Sequence, residues 1–274
     1  MRLLIKNGRV IDPANNKDEV LDILVEGGKI SKVAKNINCP AEKTIDATDK
    51  IIIPALVDLH VHLREPGRED KETMLSATQA ALKGGITTVL AMPNTIPAMD
   101  SKENVQLLQD IIKRSAQVNV LICGAITKER LGKGLTDISR LKAAGAIAIS
   151  DDGASVDDEK LLFEALKKAK DEKLLVSCHS EDKILSNNGV VNLGFTSTRL
   201  GLRGISKESE YARIERDIHL AEKADAPIHI AHVSTKESVE IIAKAKKRGI
   251  KVTCEAAPHH FSLTEESVLD YDTN

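Results

Sequence analysis

Ten consecutive residues, Asp58-Leu59-His60-Val61-His62-Leu63-Arg64-Glu65-Pro66-Gly67, hold the densest potential chemistry in the chain. They follow the apolar run Ile51-Ile52-Ile53-Pro54-Ala55-Leu56-Val57, so they are expected to close a buried strand. Alternate residues of a strand share a face, which aligns Asp58, His60, His62 and Arg64. Imidazoles two residues apart on a strand are separated by roughly 6.6 Å along the backbone, close enough to converge on one metal ion. A lone strand histidine is more often a hydrogen-bonded core residue. A His-x-His pair with an aligned acid and an aligned base at a strand end points instead to metal.

The elements that must position these residues are legible as a repeating pattern. From Val57 onward, strand candidates fall at 57–62, 87–92, 118–126, 146–150, 174–179, 228–233 and 251–255. Helical patterns lie between most of them, at 72–83, 102–115, 136–144, 157–170, 208–224 and 236–248. The strands are apolar with few polar breaks, as expected when both faces of a sheet are covered. Asp157 and Thr235 are candidate helix caps, and Gly84-Gly85 and Gly249 follow helix ends. This alternation is the pattern of a parallel α/β fold. Residues 1–53 differ: short β-type runs at 3–11, 20–25 and 29–33, with Glu26-Gly27-Gly28 as a hairpin turn, predict a small β domain. The expected domains are therefore 1–53 and 54–274. Seven βα units are present where a (β/α)8 barrel needs eight. The sequence closes on Tyr271-Asp272-Thr273-Asn274 soon after the seventh strand, which predicts either an open seven-stranded sheet or a barrel one unit short.

Barrel chemistry sits at the C-terminal ends of strands. Those ends carry His60 and His62, then Asn94, Asp151-Asp152-Gly153, His179-Ser180-Glu181-Asp182 and His232-Val233-Ser234. Asp-Asp-Gly alone is more often a turn or a cap, but its coincidence with histidines at three other strand ends favours a metal site. His219, mid-helix, and His229, facing away from His232, are read as structural. His259-His260 are either site-mouth or ordinary loop residues. Histidine and carboxylate ligands suit zinc, and also manganese or cobalt. Five ligands exceed one tetrahedral site and suit two ions about 3.5–4 Å apart with a carboxylate between them. Such a pair generates hydroxide near neutral pH and polarises a carbonyl, which is hydrolytic chemistry on an amide-like bond.

Composition excludes other classes. A formal net charge of -2 and 2% aromatic residues supply neither the basic field nor the stacking platforms of nucleic-acid binding. No apolar stretch approaches the roughly 18 residues of a membrane span, and the N-terminus does not resemble a signal peptide. Cys39, Cys123, Cys178 and Cys254 form no C-x-x-C pair, which predicts reduced thiols and a cytoplasmic location.

The chain resembles the amidohydrolase superfamily and, within it, the type I (bacterial class) dihydroorotases. The stretches that carry the resemblance are His60-Val61-His62-Leu63-Arg64-Glu65-Pro66-Gly67, Met92-Pro93-Asn94-Thr95, Ser150-Asp151-Asp152-Gly153, Cys178-His179-Ser180-Glu181-Asp182, Ile230-Ala231-His232-Val233-Ser234-Thr235 and Cys254-Glu255-Ala256-Ala257-Pro258-His259-His260. The resemblance implies a zinc-dependent TIM barrel of the metal-dependent hydrolase type. It also implies the reversible cyclisation of N-carbamoyl-L-aspartate to dihydroorotate, a step of pyrimidine synthesis. It further implies that His60 and His62 hold one zinc ion and His179 and His232 a second, with Asp152 bridging them. Spacing alone does not choose Asp152 over Asp151. By the same resemblance His62, Arg64 and Asn94 contact substrate; the planar fork of an arginine suits a carboxylate. A homodimer is the implied assembly.

Two alternatives remain at this level. Hydantoinase and allantoinase relatives place a metal-bridging lysine at the end of strand four, where this chain has Asp151-Asp152. A non-catalytic dihydroorotase-like subunit that scaffolds aspartate carbamoyltransferase has little reason to keep five metal ligands. The family's general acid/base, an aspartate of strand eight, and the stretch completing the small β-sandwich domain are expected beyond residue 274. The chain is thus expected to be a fragment, inactive alone, with open edges at its first and seventh barrel strands.

Overall fold

The computed structural model describes residues 1–269, in two units that meet in sequence between Leu56 and Val57. The expectation for residues 271–274 lies outside the described residues.

The first unit is one sheet. β1 (Arg2–Asp12), β2 (Lys17–Glu26) and β3 (Lys29–Ala34) are consecutive antiparallel neighbours, and β4 (Lys43–Asp46) and β5 (Ile51–Ile52) pair in parallel with β1. Gly27 and Gly28, at φ +58° and +78°, make the two-residue turn between β2 and β3, a conformation that side chains with a Cβ resist. Alternation of β1 and β2 builds two small apolar clusters, Leu4 with Leu24 and Ile37, and Val10 with Leu21 and Ile23. The buried carboxylate of Asp22 is satisfied by the backbone amides of Asn7 and Ile37, each at 2.9 Å.

The second unit repeats strand and helix. β6 (Leu56–Val61), α1 (Met74–Lys83), β7 (Ile86–Ala91), α2 (Lys102–Ser115), β8 (Asn119–Ala125), α3 (Ile138–Ala143), β9 (Ala146–Ser150), α4 (Glu159–Asp171) and β10 (Leu175–Cys178) follow in order. An insertion comes next, made of α5 (Lys183–Ser186), β11 (Val191–Asn192), α6 (Phe195–Leu200) and β12 (Gly204–Ile205). After it come α7 (Glu208–Ala224), β13 (Ile228–Ile230), α8 (Lys236–Lys247), β14 (Val252–Cys254) and α9 (Pro258–Ser262). Among the described residues the main sheet has seven strands in the order β14-β13-β10-β9-β8-β7-β6, a curled, mostly parallel half-barrel.

Successive residues of the central strands serve opposite sides of the sheet. Ile122 packs with α2 residues Val105, Leu108 and Ile111, while Cys123 joins Leu90, Met92 and Ala148 on the other face. Ile149 faces α4 and α7 through Leu162, Leu166, Ile214 and Ile218. Helices thus cover one face of the sheet, while on the other the strand residues pack on one another across the curl, which is why the central strands read as apolar runs. Its two ends are β6 and β14, the strands expected to be left open. On β6, Leu56, Val57 and Leu59 remain 47–56% exposed.

Helix boundaries follow local chemistry. Thr73 accepts from the Ser76 amide to start α1; Thr235, the expected cap, accepts from the Ser238 amide to start α8. The cap of α4 is Asp158 rather than Asp157: Asp158 accepts from the amides of Lys160 and Leu161, while Asp157 is drawn into an ion pair with Arg213 at 3.1 Å. The small strands β11 and β12 and the short helices around them carry too few residues for periodicity to show.

Candidate metal centre

The strands end where the chemistry begins. β6 stops at Val61, so His60 is its penultimate residue and His62 lies just past its end. Simple alternation therefore does not extend to Arg64, which takes φ +62° as the chain turns away. Glu65 accepts from the Met74 amide at 2.7 Å and so ties this loop to the start of α1. His179 follows β10 directly, Asp151 and Asp152 follow β9, and His232, at φ +36°, lies two residues beyond β13.

These loop starts converge. Asp152 Oδ1 lies 3.3 Å from His60 Nε2 and 3.4 Å from both His179 Nδ1 and His232 Nε2; Asp152 Oδ2 lies 3.4 Å from His62 Nε2. The His60 and His62 ring centroids are 5.1 Å apart, and those of His179 and His232 are 4.8 Å apart. His179 Nδ1 and His232 Nε2 lie 2.9 Å from each other. All five residues named from the sequence are thus brought together.

Asp151 is not among them. Its carboxylate, equally buried, accepts from the amides of Ile126 at 2.9 Å and Thr127 at 3.0 Å and from the Thr127 hydroxyl. Burial raises its pKa against those hydrogen bonds. Asp152 behaves in the opposite way: burial would raise its pKa, but His179, His232 and His60 hold it far below the ordinary carboxylate range. His60 is burdened by burial, yet the Asp152 and Glu255 carboxylates carry its pKa up to about 9. His62 is pushed down, first by burial and then by the neighbouring charges of His60 and Arg64.

Asp152 Oδ1 is buried and has no hydrogen-bond partner, although three ring nitrogens surround it. A buried carboxylate oxygen left in that state is strongly destabilising unless a cation satisfies it. The ligand atoms of His60, Asp152 and His232 all lie within 4.8 Å of one another, and the set fits a metal ion.

Other sequence candidates fall around this core. Asn94 places Oδ1 2.9 Å from His62 Nδ1, so it fixes that ring as well as facing the site. His259 and His260, their rings 4.3 Å apart, line a cavity of about 930 Å³ shared with His179 and His232. His219 sits within α7.

Three contributors were given no role from the sequence. Glu255, past the end of β14, receives a hydrogen bond from His60 Nδ1 at 2.6 Å. Arg130 donates from Nη1 to the Asp152 carbonyl at 2.6 Å. Ser155 donates to the carbonyls of His179 at 2.7 Å and Glu181 at 2.8 Å. Glu255 had one sequence signal, an acid at a strand end beside a chemical cluster. The other two had none.

Residues 49–238 match the family model described as dihydro-orotase-like. The chain belongs to that family. A dihydroorotase from Elusimicrobium minutum is 56% identical over 274 residues, which is all of this chain and 63% of the relative. One from Geobacter metallireducens is 50% identical over 275 residues, covering 65% of its own length. The chain therefore spans a little under two thirds of these family members. In fold it is similar to the L-hydantoinase (dihydropyrimidinase) of Arthrobacter aurescens, with a TM-score of 0.84 at 22% identity over 97% of this chain and 60% of that one. A D-hydantoinase superposes with a TM-score of 0.81 at 23% identity. No described helix is long and apolar enough to cross a membrane.

Proposed function

We propose that this chain forms the metal-holding and carboxylate-recognising part of a dihydroorotase, acting reversibly between N-carbamoyl-L-aspartate and dihydroorotate. The observation that carries this reading is the buried Asp152 carboxylate at the focus of four histidines, in a chain of the dihydro-orotase-like family.

His60, His62, Asp152, His179 and His232 would hold two zinc ions. When bound, zinc supplies a Lewis acid for the amide carbonyl and lowers the pKa of water towards neutrality. Both Asp152 oxygens face the histidine set, Oδ1 toward His60, His179 and His232 and Oδ2 toward His62, so the carboxylate would supply negative charge to whatever the cluster holds. Asn94 holds the His62 ring through Nδ1. Arg64 presents the guanidinium fork for the substrate carboxylate. Arg130 anchors the main chain beneath Asp152. We assign a small-molecule substrate, a homodimeric assembly and a cytoplasmic location on the same basis.

The hydantoinase alternative is separated by the substrate carboxylate. Zinc-loaded protein titrated calorimetrically should bind dihydroorotate at least about tenfold more tightly than dihydrouracil, which lacks that group. Equal affinities would remove the carboxylate-recognition reading, and protein that takes up no zinc would remove the metal reading.

A further inference from the structure

We infer that Glu255 is a positioning residue that locks the His60 ring so that its Nε2 faces Asp152. This inference rests on the metal reading of the site.

Glu255 Oε1 accepts from His60 Nδ1 at 2.6 Å, while His60 Nε2 lies 3.3 Å from Asp152 Oδ1. A carboxylate accepts only, so the proton of a neutral His60 sits on Nδ1 and the lone pair on Nε2, inside the cluster. His62 and His179 are held differently. His62 Nδ1 meets the neutral carboxamide of Asn94, and the Glu181 carboxylate stands 3.5 Å from His179 Nε2.

Glu255 is itself held firmly. Its amide donates to the Ile230 carbonyl at 3.1 Å, and its carbonyl accepts from the Val233 amide at 2.8 Å, on the segment that carries His232. Its second carboxylate oxygen lies 3.3 Å from Nε2 of the buried His229, whose Nδ1 is 2.8 Å from the Thr253 hydroxyl. His229, expected to face away from the site, instead stands against Glu255 and so belongs to a layer that supports it. The His60–Glu255 bond also joins the ends of β6 and β14, the two ends of the sheet order. Glu255 therefore couples ring orientation to curvature of the rim.

Zinc affinity and cobalt absorption spectra should be measured for the whole chain and for Glu255→Gln, Glu255→Ala, His60→Ala and the His60→Ala/Glu255→Ala double variant. Glu255→Ala should bind the same number of ions about 10–100-fold more weakly, with an altered cobalt spectrum. Glu255→Gln keeps the shape and a neutral acceptor, so it should fall between wild type and alanine; it also reports the loss of charge if the alanine variant fails to fold. In the His60→Ala background, removing Glu255 should have no further effect on affinity. Unchanged affinity and spectrum in a folded Glu255→Gln or Glu255→Ala protein would overturn the inference while leaving the metal reading intact. Loss of a whole equivalent would make Glu255 a ligand rather than a positioning residue, and additive effects in the double variant would refute action through His60. Wild-type protein that binds no metal would instead refute the metal reading.

Discussion

Asp151 and Asp152 are adjacent in sequence and both are buried, yet their carboxylates serve different layers of the structure. Asp151 satisfies the backbone at the end of β8 through Ile126 and Thr127, whereas Asp152 lies 3.3–3.4 Å from nitrogens of four histidines. The two alanine substitutions should therefore fail differently. Asp152→Ala should lose tight binding of at least one zinc ion, measured by metal analysis after desalting. Asp151→Ala should keep its zinc but lose about 2 kcal/mol or more of stability in urea denaturation, because the buried amide and hydroxyl of Thr127 are left without their acceptor. Normal zinc content in Asp152→Ala would transfer the ligand role away from it.

Arg64 follows the metal-facing histidines, and its charge acts on His62. Arg64→Met should retain zinc and weaken dihydroorotate binding about 10–100-fold, the equivalent of a charge-assisted hydrogen bond of about 1.5–3 kcal/mol. Unchanged binding by calorimetry would discard the carboxylate-fork role.

Gly67 closes the same loop at φ +98°, and a Cβ there would lie 2.2 Å from the Ile96 carbonyl oxygen. Gly67→Ala must adopt a left-handed backbone and displace the neighbouring loop. A destabilisation of about 1–3 kcal/mol is expected from the strained conformation alone, read as a lower Tm. A variant as stable as wild type would show that the loop can rearrange freely.

Glu210 links α7 to the segment after His232: its carboxylate accepts from the amides of Ser234 at 3.1 Å and Thr235 at 2.9 Å and from the Ser234 hydroxyl at 2.6 Å. Burial would raise its pKa, but hydrogen bonds from Ser234, Ser238 and these amides lower it below the ordinary value. A depressed folded-state pKa stabilises fully above the unfolded value, about 4.3 for glutamate, and the contribution is lost as pH falls through the folded value. The stability gap between wild type and Glu210→Gln should therefore be largest near neutral pH and shrink below about pH 4. A gap independent of pH would show that the charge is irrelevant to this link.

Much of this protein was legible in one dimension. Helix bounds at α2 and α7 coincide with those read from periodicity, and the strands that were read differ by at most a few residues at their ends, because both signals are local, although the four-residue β4 was missed. The histidines that converge could also be named, since each sits where a strand finishes and a parallel sheet brings those ends to one rim. Choices between neighbours were not local. Asp158 rather than Asp157 caps α4 because Arg213, 56 residues away in sequence, claims Asp157. Asp152 rather than Asp151 faces the histidines because the amides of Ile126 and Thr127 claim Asp151. Glu255 meets His60 across 195 residues, and that contact exists only once the sheet curls. Sequence by itself determined which residue types arrive at the rim. Tertiary structure decided which atoms face one another there, because a carboxylate or an imidazole turns toward the donors that packing supplies, and those come from distant strands.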